Sequence, residues 1–470
     1  MLVQSSNVDL ARRMARPQRH RLLHGYPMAP LLQPLDPREA PWRSLDLDPR
    51  RPLLIGVLPH TFCNPKVRGC GFCTFPHEKH SNDAARAVVA RVALEVRGRA
   101  TDLPGATRRR VPALYFGGGT ANLTPPDAFA ALADALVESF DLSSSEVSLE
   151  GVPRYFLTRD EALLDVLERM PVRHRRLSVG VQTFDPAWLA RMGRLAFGTE
   201  ETFAEVVRTA HARGMTVSCD LLFNLPGQAV EAAIDDVDRA AALGFDQICI
   251  YNLVLDPEID AEWARSRSLL ARVPAPEIGA ERWLVLRERL FALGYVQTTL
   301  TNFERSDVVT TERRFVYERA SFDAATYDAL GFGPGAISTF TGRARRSALK
   351  WMNAGTSRGY SDAMDTHGRA SDRRFLYGGT DLRVLHSTRA LSALRIERAS
   401  YRAFFGTDAV NDFTEAFAAA QDRGLVTVDA SAVALTPRGM FYADAVAGLV
   451  ASRRAAELRA ENESLAHAMG

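Results

Sequence analysis

Cys63, Cys70 and Cys73 fall in one short run, His60-Thr61-Phe62-Cys63-Asn64-Pro65-Lys66-Val67-Arg68-Gly69-Cys70-Gly71-Phe72-Cys73, and only Cys219 and Cys249 occur elsewhere in 470 residues. Three thiolates are the wrong number for disulfides and one short of a closed four-thiolate zinc site. They suit a [4Fe-4S] cluster in which one iron lacks a protein ligand and stays open to a small molecule. A metal-free loop or a zinc site is the competing reading.

A second constellation is Tyr115-Phe116-Gly117-Gly118-Gly119-Thr120. Glycines let the backbone turn sharply and let a ligand approach main-chain N–H groups that a Cβ would block. No Gly-Lys-Ser/Thr follows, so this is no phosphate-binding P-loop, and the spacing is not that of a dinucleotide fingerprint. Alone, it reads as a tight strand exit; next to the cysteine loop it reads as a cradle for a ligand. Glu150, Gln182, Arg194 and Asp220 recur at or just beyond later strand ends. Carboxylates suit hydroxyls or an ammonium, whereas Arg and Gln suit a carboxylate. Singly, each is equally a surface residue or a local cap.

These residues need elements that bring them together. Six short apolar, β-branched runs, 53–58, 111–116, 146–150, 176–182, 216–223 and 247–254, have the length and composition of buried parallel strands. Helical stretches lie between them, one of them predicted to open at Thr124 as N-cap with Pro125 in the first helical position. Strand–helix alternation means a parallel sheet with right-handed crossovers. Six units predict an α/β fold built as a partial (β/α)6 TIM-type barrel; an open doubly wound sheet is the alternative. In both, reactive groups sit at the carboxyl ends of the strands, where the cysteines and glycines fall.

Beyond about residue 260 the alternation fades into a middle region that runs to the Gly331-Phe332-Gly333-Pro334-Gly335-Ala336 turn and on to about 370. The polar stretch 369–379 reads as a linker. After it, 382–406 and 410–424 read as helices, 425–435 as a hairpin, and the remainder as a last helix: a C-terminal helical, winged-helix-like module. The expected divisions are an N-terminal extension 1–50, the barrel 51–260, a region 261–370 that closes it, and the module 371–470.

Composition excludes several classes. Hydrophobic residues make up 46% and charged residues 24%, ordinary for a globular protein, and the net charge of +2 asks for neither nucleic acid nor an anionic membrane. No apolar run approaches a membrane span. The basic segment 10–16 lacks the apolar core of a secretory signal; it reads as a solvated leader, with only a weak likeness to an organelle transit peptide. Few cysteines, most of them clustered, point to a reducing compartment, with the cytoplasm as the expectation.

The chain resembles the radical S-adenosylmethionine (SAM) superfamily, and within it the branch of oxygen-independent coproporphyrinogen III oxidase. The likeness rests on Cys63, Cys70 and Cys73 with Phe72 before the last, and on Gly117-Gly118-Gly119-Thr120. It continues through Ser148-Leu149-Glu150-Gly151-Val152-Pro153, 177–185, Met192-Gly193-Arg194, 220–228 and 331–336. The resemblance implies that Cys63, Cys70 and Cys73 hold [4Fe-4S] and that the open iron chelates the amino and carboxylate groups of S-adenosylmethionine. Reductive cleavage would then give a 5′-deoxyadenosyl radical that abstracts hydrogen from a small or medium organic substrate. Gly118, Gly119 and Thr120 would hold the methionyl end, and Glu150, Gln182, Arg194 and Asp220 the other polar groups. An electron donor such as flavodoxin or ferredoxin is implied as partner. No residue is assigned a catalytic role.

The departures from the family are specific. Six residues separate Cys63 from Cys70 where the branch has three, with Pro65 and Gly69 suited to turning the longer loop. The porphyrinogen oxidase carries a Tyr six residues before its first cysteine and a further cysteine two after its last; here Val57 and Phe75 stand there. The heme-chaperone relatives carry a His-Asn-x-x-Tyr-Trp motif; here the matching region reads Arg313-Arg314-Phe315-Val316-Tyr317. These differences lean towards the branch's C-methyltransferases and cyclopropane-forming enzymes, which take two S-adenosylmethionine molecules. An oxidase-type enzyme and a heme-binding chaperone are the alternatives. His77-Glu78-Lys79-His80 lacks the zinc-protease spacing and reads as loop. Cys219 and Cys249 read as packing residues. Tyr251, Tyr295 and Gln297 are candidates for the substrate mouth.

Overall fold

Each of the six apolar runs is a strand: β1 Leu53–Val57, β2 Ala113–Phe116, β3 Glu146–Gly151, β4 His174–Gln182, β5 Thr216–Phe223 and β6 Gln247–Asn252. They pair in parallel in chain order, with Leu54 opposite Ala113, Leu149 opposite Leu177 and Cys219 opposite Ile248. Val147, Leu149, Leu177, Val179, Val217 and Cys219 are fully buried. Strands covered on both faces need such continuous apolar runs, which is why composition alone marked them. The computed structural model describes residues 2–469 apart from 19–22, 24, 37, 64, 65, 77 and 104. Asn64, Pro65 and His77, part of the expected loop and of the His-Glu-Lys-His run, therefore lie outside the described residues.

Past β6 the chain stops alternating because it turns antiparallel. β7 Tyr295–Gln297 and β8 Asn302–Arg305 add an antiparallel pair to the β6 edge. β9 Asp328–Phe332 returns to the opposite edge and pairs in parallel with β1. β10 Ile337–Thr341, β11 Ala348–Asn353 and β12 Ser371–Tyr377 continue outward as a meander. With the short strand Gln33–Pro34 at one edge, the sheet holds 13 strands, its parallel middle being the partial barrel.

Three expectations are corrected. The stretch 369–379 is no linker: Ser371–Tyr377 is strand β12, with Phe375 and Tyr377 buried, so the C-terminal module begins after it. Thr124 does not cap the following helix, which starts at Pro126 after Pro125 without a side-chain cap. Its hydroxyl instead donates to the Ala121 carbonyl at 2.7 Å and accepts from His60 Nε2 at 3.2 Å. The basic start is solvated only in part, with Arg12 and Arg16 exposed. Leu2–Met14 is a helix whose Leu10 and Met14 enter the main core, while Arg13 pairs with Asp9 at 2.9 Å.

The module follows the expected order with one correction: 382–406, expected as helix, is interrupted by a short strand at Arg395–Glu397 that pairs with the hairpin. Helix Gly379–Ser392 leads to strand β13 Arg395–Glu397 and helices Arg398–Phe405, Ala409–Asp412 and Thr414–Asp422. The hairpin β14 Val426–Val428 and β15 Ala432–Leu435 follows, then helices Pro437–Phe441 and Ala443–Met469. β13 pairs with β15, giving a small sheet of its own. Among the described residues no helix is long and apolar enough to cross a membrane.

Candidate functional site

The cysteine loop leaves β1 through a tightly tied corner. Buried His60 accepts the Phe62 N–H on Nδ1 at 3.2 Å, which leaves the proton on Nε2 for Thr124. Burial, with His80 nearby, pulls this imidazole down to about 4, so it works as a neutral strut. Thr61 donates to Glu78 at 2.8 Å, and Glu78 also accepts the Ser357 N–H at 2.8 Å, fastening the loop to helix Ser357–His367.

At its far end the loop turns through Gly69, Cys70 and Gly71, with φ of 56°, 52° and 87°. Cys70 is thus held in the left-handed region that a non-glycine residue rarely visits. Trp263 explains why Gly71 must be glycine: a Cβ there would lie 2.1 Å from the indole Nε1. Trp263 packs with Trp188 and Phe72 in a cluster that also buries Met192 and Leu225. Trp263 and Trp188 were not singled out in the sequence. The one available signal was the rarity of Trp, since five occur in the chain and two stand here.

All ten candidate residues line one cavity of about 320 Å³: Cys63, Cys70, Cys73, Gly118, Gly119, Thr120, Glu150, Gln182, Arg194 and Asp220. Phe75 and Val152 complete part of its wall. Thr120 Oγ1 is 3.0 Å from Cys63 Sγ, Arg194 Nη1 donates to Cys70 Sγ at 3.3 Å, and the Phe75 N–H donates to Cys73 Sγ at 3.4 Å. The second Arg194 nitrogen donates to the Gly180 carbonyl. Gly180 stands beneath Arg194 and Gln182; its Cβ position is 3.1 Å from Arg194 Nη2 and 3.0 Å from Gln182 Nε2. The register slips between Gly180 and Gln182, and Gln182 takes φ 75°, so an irregular strand end re-aims that amide. Gly119 is constrained by space alone: a Cβ would come within 2.9 Å of the Phe62 carbonyl of the cysteine loop.

The cavity is electrostatically frustrated. Burial raises the Cys73 thiol to about 11, with smaller pushes from Cys70, Cys63 and Glu150. Glu150, which accepts from Tyr115 at 3.3 Å, is raised to about 7 by burial and by Asp220. Burial raises Asp220 to about 6 against the pull of Arg176. Three thiols close enough to oppose one another's ionisation, two of them accepting N–H donors, fit a positively charged iron–sulfur core. Among the described residues no three such side chains converge on one point as a single ion requires. A cubane's thiolates each bind a different iron, and three thiols leave its fourth iron without a protein ligand.

A second cavity, of about 310 Å³, occupies the barrel interior and shares Asp220 with the first. Its wall includes Tyr115, Arg176, Cys249, Tyr251, Phe315 and Glu318. Arg176 donates to Gln247 and Ser218 at 2.6 Å each and lies 3.8 Å over the Phe315 ring. Tyr251 therefore faces this interior as expected of a substrate-lining residue. Tyr295 and Gln297 do not: Tyr295 donates to the Phe245 carbonyl at 2.6 Å, and Gln297 accepts from Arg287 at 2.8 Å. Cys219 is fully buried, whereas Cys249 lines the cavity beside Asp220.

Residues 57–240 match the model of the radical SAM superfamily. The chain carries a radical SAM domain. Among its curated relatives, the oxygen-independent coproporphyrinogen III oxidase of Bradyrhizobium diazoefficiens is 31% identical over 241 residues, covering 49% of this chain and 51% of that enzyme. The chain thus spans about half the length of that relative. The heme chaperone HemW of Mycobacterium tuberculosis is 27% identical over 422 residues, covering 87% of this chain and 98% of the chaperone. The radical SAM enzyme coproporphyrinogen III oxidase (HemN) from Escherichia coli superposes with a TM-score of 0.74 at 23% identity, over 91% of this chain and 96% of that one. That likeness extends the shared fold past the barrel into the C-terminal module. The family implies a [4Fe-4S] cluster and S-adenosylmethionine.

Proposed function

We propose that the protein is a radical SAM enzyme acting on a small or medium organic substrate held in the barrel interior. The observation that carries this reading is the pair of adjoining cavities: one lined by three cysteines, one by polar barrel residues, with Asp220 in both walls. Cys63, Cys70 and Cys73 would hold the cluster. When bound, the cluster and S-adenosylmethionine supply a 5′-deoxyadenosyl radical that abstracts hydrogen. The chain's own residues do the positioning. Gly118, Gly119 and Thr120 offer close backbone approach to the methionyl end. Glu150 and Asp220, raised by burial to about 7 and about 6, meet hydroxyl or ammonium groups, while Gln182 and Arg194 meet a carboxylate or the adenosyl edge. Trp263 and Phe72 exclude water from the side of the cysteine loop.

Within this reading we favour C-methyl transfer or cyclopropane formation, with a second S-adenosylmethionine, over porphyrinogen oxidation. Val57 offers no phenol where the oxidase has one. Phe315 and Tyr317, from the segment that departs from the chaperone motif, line the inner cavity. The test is anaerobic reconstitution with S-adenosylmethionine and a reductant. Formation of 5′-deoxyadenosine is expected, and its absence despite an intact cluster removes the radical reading. S-adenosylhomocysteine alongside it supports methyl transfer; tight heme uptake without turnover supports the chaperone instead. Serine at Cys63, Cys70 or Cys73 should abolish cluster absorbance, whereas serine at Cys219 or Cys249 should spare it.

A further inference from the structure

Four charged side chains line the inner cavity, and three have their polar atoms engaged. Arg176 is held by Gln247 and Ser218, Glu318 accepts from Thr299 at 2.8 Å and from Asn302, and Asp220 is partnered by Cys249. The fourth is Arg389, on helix Gly379–Ser392 of the C-terminal module. Its Nη1 donates to the Ser321 carbonyl at 2.5 Å, but its Nε is buried with no hydrogen-bond partner. Among the described residues it forms no ion pair; the groups that act on its charge are the phenols Tyr377 and Tyr317. A guanidinium has five N–H donors in a planar fork made for oxyanions. Burying that fork without an anion costs free energy that packing alone does not return. Phe315, Tyr317 and Phe322 supply aromatic surface to the same wall, and Ser321, Thr301 and Asn302 supply uncharged polar groups.

We propose that Arg389 anchors an oxyanion of the substrate, so that the protein acts on an organic acid, a carboxylate or a phosphate ester, whose charged end points away from Asp220. This rests on the barrel interior being the substrate site, and it adds the substrate's charge and the residue that reads it. The recognising cation comes from outside the barrel, so the C-terminal module contributes to specificity. Asp220, which the cavity shares with the cysteine-lined room, marks the side on which the substrate's reacting end would meet the cofactor. Asn302 Oδ1, a second buried atom without a partner in the same wall, would accept a donor from the substrate beside the anion.

The test uses the full reconstituted chain and fluorine NMR titration with three probes: para-fluorobenzoate, para-fluorophenyl phosphate and the neutral para-fluorobenzamide. At least one anion should bind about tenfold or more tightly than the amide, the loss expected for a charge-assisted hydrogen bond. The ranking of the two anions tells carboxylate from phosphate. Arg389→Gln should abolish the preference and Arg389→Lys should keep part of it, a split that a purely structural role would not produce. Should Arg389→Gln fail to fold, photolabelling of the unaltered protein with para-azidobenzoate decides: label is expected on 315–322 or 379–392. Equal binding of the amide, binding of no probe, an unchanged preference in Arg389→Gln, or label confined to other segments each overturns the proposal. None of these readings needs turnover, so they stand apart from the 5′-deoxyadenosine assay, which addresses the radical reading alone.

Discussion

Replacing Gly71 by Ala probes how the cysteine loop is held. The new Cβ would lie 2.1 Å from Trp263 Nε1 and 2.2 Å from its Cε2, at a backbone φ of +87°. Left-handed backbone costs an alanine about 1–2 kcal/mol, and overpacking a filled site adds about 1–3 kcal/mol. The expected destabilisation is therefore about 2–5 kcal/mol. The two parts separate in a double-mutant cycle. With Trp263→Ala in place the indole is gone, and Gly71→Ala should cost only its backbone part, leaving a coupling of about 1–3 kcal/mol. Urea unfolding of the metal-free, reduced protein measures the cycle, and iron bound per chain after reconstitution measures its consequence for the three thiols. Gly71→Ala should bind less iron, with partial recovery in the double variant. Additive effects of the two substitutions would refute the idea that Trp263 is what forbids a side chain at Gly71.

Other expectations follow from buried groups. Asp328 accepts from both Arg51 and Arg109, and all three are buried, so Asp328→Ala leaves two uncompensated cations and should cost at least about 3–5 kcal/mol in urea unfolding. Asn122 donates to the Val152 carbonyl at 2.9 Å and accepts the Val152 N–H at 3.1 Å beneath the cofactor rim. Asn122→Ala should cost about 1–3 kcal/mol and weaken S-adenosylmethionine binding, measured by equilibrium dialysis. Burial lowers Lys350 to about 7 while its Nζ donates to the Gly25 and Pro27 carbonyls at 3.0 Å. Between about pH 7 and the ordinary lysine range the unfolded chain holds a proton that the folded chain has released. Stability should then rise with pH by up to about 1.4 kcal/mol per unit, and Lys350→Met should remove that part of the slope.

Much of this architecture could be read from residue order because its signals are local. Parallel strands buried on both faces must be apolar throughout, so β1 to β6 stood out to within two residues at most of their ends. Strand-end chemistry placed Cys63, Gly118, Glu150, Gln182 and Asp220 on one rim, and a single cavity wall now holds them together with Arg194. What escaped notice depends on distant partners. Ser371–Tyr377 carries Asp372, Arg373 and Arg374 in succession, half-buried or exposed on a peripheral strand, a run that mimics a linker. Thr124 has the right neighbours for a cap, but His60, 64 residues earlier, takes its hydroxyl. Leu10 and Met14 sit in a basic segment and become core only because the C-terminal helices cover them. Trp263, which packs behind the cysteine loop, and Arg389, which lines the inner cavity, come from elements beyond the parallel strands, where no periodicity announces a site.

Asp220 belongs to the walls of two rooms at once, and that gives the protein a means of ordering its ligands. A carboxyl poised by burial near pH 6 can be tipped to either protonation state by whatever arrives beside it. A ligand on one side that fixes the state of Asp220 alters the affinity of the other side for its own ligand. Reciprocity requires that the second ligand return the favour by the same factor. Occupancy of one room would then bias occupancy of the other through a single shared carboxyl.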